Sequence, residues 1–178
     1  DLGIEYKIGS STLLKAEVAT SNKDVNTFSS KDDGDDRGWA AKFQLSNDKL
    51  LSSSSKLLLV TSLDYEYVQQ KFRPLERLRM VEFSRDWGLN LQPVPVPVDE
   101  HIIRAAAKLK DNKNHSFSYQ FTNYRRSDDY SGVQNAIQHS ANWKGWLVNN
   151  QFILTNFSGL NNKGTFLRPV IDISKELL

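Results

Sequence analysis

The chain has 178 residues, 39% hydrophobic, 11% aromatic and 25% charged, and its 23 basic and 21 acidic side chains leave a net charge of +2. That length supports one domain with a sizeable core, and so even a charge balance excludes an electrostatic nucleic-acid binder. The lack of cysteine excludes disulfides, cysteine-ligated metal centres and thiol nucleophiles, and no apolar run reaches the ~18 residues of a membrane-spanning helix.

The first segments read as strands. In residues 3–9, Ile4, Tyr6 and Ile8 alternate with Glu5 and Lys7; in 13–20, Leu14, Ala16 and Val18 alternate with Lys15 and Glu17. Successive strand side chains point to opposite faces, so each segment has one greasy and one wet side. A polar stretch over 31–38 follows. Its Asp32, Asp33, Asp35 and Asp36 are the best local metal candidate, since hard cations favour closely spaced carboxylates. Arg37 stands where an EF-hand-like loop needs an oxygen ligand, and a solvated turn is the competing reading.

Trp39, Ala41, Phe43 and Leu45 then share a face opposite Lys42 and Gln44. In 57–67 one face carries Leu57, Leu59, Leu63, Tyr65 and Tyr67, and the other starts with Leu58 and Val60 and turns polar at Ser62, Asp64 and Glu66. Residues 74–87 break the pattern. Pro74 suits a first helical turn, Met80, Phe83 and Trp87 form a stripe, and Gly88 sits where a helix would end, so helix and strand both fit. This stretch also holds Glu76, Arg77, Arg79, Glu82, Arg85 and Asp86, read either as a cleft with Glu82 and Asp86 as a glycosidase-like carboxylate pair or as structural ion pairs. Mixed signs in near balance favour ion pairs.

Prolines 93, 95 and 97 remove ladder N–H groups, so residues 92–98 form an extended linker or an edge. The chain is accordingly either one β-rich domain over 1–178 or two halves, 1–91 and 99–178. Residues 101–110 alternate Ile103, Ala105, Ala107 and Leu109 with Arg104, Lys108 and Lys110. A polar turn at 111–114 leads into Phe117, Tyr119 and Phe121, and a hairpin is favoured over a helix. Trp143 and Trp146, with Tyr119, are candidates for a sugar-stacking platform; filling or rimming a β core is the competing role. The three histidines show no metal-binding spacing. Near the end, Leu167, Ile171 and Ile173 oppose Arg168, Asp172 and Ser174.

Together these segments predict an all-β antiparallel meander of roughly eight strands, as a barrel, a sandwich or part of a larger barrel, with one short helix allowed near 74–87. No cofactor is expected. The chain shows no leader peptide and opens on Asp1 rather than Met, as a mature piece or a part of something longer would.

The cadence of residues 13–20, 26–33, 82–87 and 166–174 resembles the strand-rich regions of large outer-membrane or cell-surface proteins of Gram-negative bacteria. In such barrels, strands of about ten residues alternate apolar with polar and are joined by polar loops. The resemblance implies a non-enzymatic structural, interaction or transport role in the bacterial envelope. It also implies the rest of a larger protein as partner, contact with a membrane, and no catalytic residue to carry over. A soluble carbohydrate-binding β domain and a glycosidase-like enzyme are the alternatives.

Overall fold

The computed structural model describes residues 1–23, 37–80, 82–89, 96–159 and 162–175. Among these residues, nine strands lie side by side in chain order in one antiparallel sheet: β1 (Leu2–Ile8), β2 (Thr12–Asn22), β3 (Arg37–Ser52), β4 (Leu57–Val68), β5 (Glu100–Lys110), β6 (Ser116–Arg126), β7 (Ser131–Trp143), β8 (Trp146–Ser158) and β9 (Lys163–Lys175). Every strand pairs with its sequence neighbour, as the alternation predicts. The sheet does not close: β1 and β9 are its two edges. β4 and β5 pair along eleven rungs, from Leu58↔Lys110 to Val68↔Glu100, so the sheet runs unbroken past the proline-rich segment. Of that segment only Val96, Pro97 and Val98 are described, and they are not strand.

Register fixes which side chains share a face, because a one-residue slip would turn every side chain over. On one face stand Leu2, Ile4 and Tyr6 of β1, then Leu14, Ala16 and Val18, then Ala41, Phe43 and Leu45, then Leu63, Tyr65 and Tyr67. The row continues through Ile103, Ala105 and Ala107 to Tyr119, Phe121 and Ile137, and then to Phe152, Leu154, Leu167 and Ile171. The other face carries Glu17 and Lys42, Asp64 and Arg104, and a row of amides: Gln120, Gln134, Gln138 and Gln151.

The connections differ at the two ends of the strands. One end has tight reversals. The β7–β8 hairpin closes on the Trp143↔Trp146 pair, with Lys144 and Gly145 both at positive φ (50° and 81°), the geometry of a two-residue turn matched to strand twist. The long connections, from β2 to β3 and from β4 to β5, lie at the opposite end.

Residues 69–80 and 82–89 of the β4–β5 connection form a strap. It holds the helix α1 (Phe83–Asp86), a single turn. The helical stretch is therefore much shorter than the sequence allowed over 74–87 and begins well after Pro74. Gly88 (φ 61°) ends it: its N–H reaches the Arg85 carbonyl at 3.1 Å, and the Leu89 N–H reaches that of Ser84 at 2.8 Å. This crossed pair of bonds is the Schellman arrangement, for which a residue free to adopt left-handed backbone is needed.

Candidate functional site: a sheet covered on its polar face

The buried cluster among the described residues lies on the polar face. Trp87 (4% exposed), Tyr124 (0%), Ile102, Tyr130 and Phe157 form it, with Phe83 and Leu89 packed against them. Trp87 meets Tyr124 edge-on at 5.3 Å between ring centres, and Phe83 does the same at 5.3 Å. These are the favoured geometries for aromatic pairs. Gly132 on β7 makes the approach possible, since a Cβ there would sit 2.8 Å from the Trp87 ring. The Tyr130 hydroxyl donates to the Trp87 carbonyl, and burial pushes its pKa up.

Charges pin the strap on both sides of this cluster. The Arg79 guanidinium bridges Glu66 of β4 and Glu100 of β5, bonding Glu100 at 2.8 Å, and lies 5.0 Å from the centre of the Phe83 ring. Burial alone would lower the Arg79 pKa; the two carboxylates outweigh it and the net shift is upward. Asp86 accepts from Arg168 of β9 at 2.6 Å, and Asn162 donates to the Gly88 carbonyl at 3.2 Å. At the strap's start, the Arg73 N–H donates to the Ser21 hydroxyl of β2 at 2.8 Å. The strap thus touches strands from β2 to β9.

The apolar face has no such cover among the described residues. Leu2 is 71% exposed and Ile171 63%, and Phe43, Leu63, Ile103, Phe117, Ile137, Phe152 and Leu167 are exposed with them. Two polar pairs on this face are local: the Tyr119 hydroxyl donates to Asn135 at 2.6 Å, and Asn150 lies 3.4 Å from His139. Aromatics gather at its two borders. Trp39 and Tyr67 pack at 4.7 Å, and Tyr67 and His101 at 4.8 Å, at the long-connection end; Trp143 and Trp146 stand at the turn end, under Lys144 and Lys175, each 5.3 Å from its ring.

The sequence-derived candidates fall as follows. Trp143 and Trp146 are neighbours across a turn, but Tyr119 pairs with Ile137, six residues along β7 from Trp143. At ~3.4 Å per residue that is about 20 Å, too far for one stacking platform. Asp86 is committed to Arg168, and Glu82 precedes the helical turn without a capping bond. The ion pairs expected in this stretch do form, mostly with the sheet rather than within the segment. Asp32, Asp33, Asp35 and Asp36 lie outside the described residues, and no cluster of three potential metal ligands occurs among those described. The strap's landing site was missed by sequence reasoning. Its only local signals are Gly132 and the spacing of Phe83 and Trp87.

Comparison with family models, with curated proteins and with solved structures gives no match.

Proposed function

We propose that this chain is a stretch of the wall of a transmembrane β-barrel in a bacterial envelope, with a structural or transport role rather than an enzymatic one. One observation carries the reading. A sheet in water must cover its greasy side, yet here, among the described residues, the long connection folds over the wet side and the greasy side has no cover. That inversion suits a sheet whose apolar face meets lipid and whose polar face meets an aqueous interior.

The dimensions agree. On β8 the outward positions run from Trp146 to Ser158, twelve residues or about 41 Å along the strand. A tilt of about 45° reduces this to about 29 Å, close to the thickness of a bilayer's hydrocarbon core. Tryptophan at both borders, with Tyr67 at one of them, suits the membrane–water interface, with the ring in the headgroup zone and the polar handle in water. Short turns at one end and long connections at the other follow the usual asymmetry. The open edges β1 and β9 call for further strands of a larger protein, since a closed barrel has no unpaired edge.

The test uses the absence of cysteine from these 178 residues, with any cysteine elsewhere in the full-length protein replaced by serine. Single cysteines at Ile103, Ile137 and Ile171, and at their neighbours Arg104, Gln138 and Asp172, are labelled with a fluorophore in the full-length protein in vesicles containing nitroxide lipid. The first set should be strongly quenched and the second weakly. Equal quenching in the two sets, or protein left in the aqueous phase, overturns the reading.

A further inference from the structure

Resting on the barrel reading, we infer that the strap is a built-in obstruction, fixed across the lumen side of the wall so that it narrows the conduit from within. Three features point there. The strap lies on the face that the barrel reading assigns to the interior. It is held by contacts of different kind at separate places: the Arg73–Ser21 bond, the Arg79 bridge to Glu66 and Glu100, the aromatic cluster around Trp87, and the Asp86–Arg168 pair. Its anchors also reach from β2 to β9, about 34 Å across seven strand spacings, so it crosses the wall rather than hugging one hairpin.

Size gives the inference a second consequence. A helical turn with its side chains is about 10–12 Å across, and an eight-stranded barrel is already filled by its own side chains. A strap of this bulk needs a lumen of the wider class, in which an aqueous channel of about sixteen strands can hold an inward-folded segment. The space left beside it lies over β2–β4. There Glu17 and Lys42 of the sheet, with Glu76 and Arg77 of the strap, border a cavity of about 700 Å³. A solute passing the strap meets charges of both signs at that point, which favours small hydrophilic solutes over apolar ones.

The experiment compares single-channel conductance in planar bilayers for the full-length protein, for a variant with residues 74–89 replaced by a glycine–serine linker, and for the Arg79→Ala/Asp86→Ala/Trp87→Ala variant, which removes three of the four anchors without shortening the chain. Both variants should conduct severalfold more than the parent. If excision prevents insertion, the triple variant alone decides. An inserted protein whose conductance is unchanged by freeing the strap overturns the obstruction and leaves the barrel reading standing. A parent that never inserts overturns both.

Discussion

Replacing Trp87 by alanine tests how the strap is held. The substitution leaves in place the backbone carbonyl that accepts from Tyr130, so only the indole is lost. That ring is 4% exposed and packs on Tyr124 at 5.3 Å and Phe83 at 6.2 Å. Truncating a buried tryptophan costs about 3–5 kcal/mol, transfer and cavity terms together. The loss falls on strap docking, because β6 and β7 keep their full ladder. Each ~1.4 kcal/mol changes an equilibrium tenfold, so even the lower value raises the undocked population by more than about a hundredfold. Trypsin reads that population directly when opening and closing outpace cleavage. Cleavage after Arg85, followed by fragment mass, is the useful signal: its side chain is exposed even when the strap is docked, but its backbone is held in the helical turn and must open before a protease can bind it, whereas Arg77 lies outside that turn. A rate after Arg85 that matches the parent would refute the assignment of Trp87 as the anchor.

Other outcomes follow from the same geometry. Gly132→Val should weaken docking by about 1–3 kcal/mol through overpacking against the indole, and much of that cost should vanish in a Trp87→Ala background, a non-additivity that a double-mutant cycle measures. Arg79→Ala should cost about 2–3 kcal/mol in denaturant unfolding, below the figure for a fully buried pair because Glu66 and Glu100 keep about a fifth of their side-chain surface. Arg79→Lys should restore only part, since a single ammonium lacks the planar fork that reaches both carboxylates. Ile137→Arg should destabilise the vesicle-embedded protein by about 2–4 kcal/mol while Gln138→Arg costs little, as depth-dependent lipid exposure requires; equal costs in reversible unfolding would contradict the assignment of the faces. In the β6–β7 turn, the bidentate bond from Arg126 holds the Asp128 carboxyl below its usual range. A depressed carboxyl stabilises above its unfolded value of about 3.9, and that contribution fades as pH falls through the lower folded value. Asp128→Asn should therefore flatten the acid side of the stability profile, by a small amount because the pair is partly solvated.

The sheet was legible where one face is greasy and the other charged. Ile4, Tyr6 and Ile8 against Glu5 and Lys7 leave no other reading, and the same holds for 57–67. The β7–β8 hairpin gave no such signal. Asn135 and His139 interrupt its apolar side, and the amides opposite them look in sequence like turn residues. Its turn is also built on Lys144 at positive φ rather than on the asparagine that usually marks such a reversal. The strap was legible only as ambiguity. Met80, Phe83 and Trp87 have helical spacing, but what organises Phe83 and Trp87 is the cluster with Tyr124 and Phe157, far along the chain, and Met80 stays exposed. Alternation identifies two unlike faces and is silent on which one the rest of the molecule covers.

The order of assembly is written into the strap's position. Each strand joins the one made just before it, so the ladder can grow neighbour by neighbour, with longer loops to close only at β2–β3 and β4–β5. The Asp86–Arg168 pair joins residues 82 apart and depends on β9, the last of the nine described strands. The strap's fastening therefore waits for all nine, and a molecule stalled before β6 and β7 pair carries Trp87 and Phe83 undocked. Such an intermediate is the species most open to chaperones or proteases, and a slow late rise in Trp87 burial during refolding is its kinetic mark.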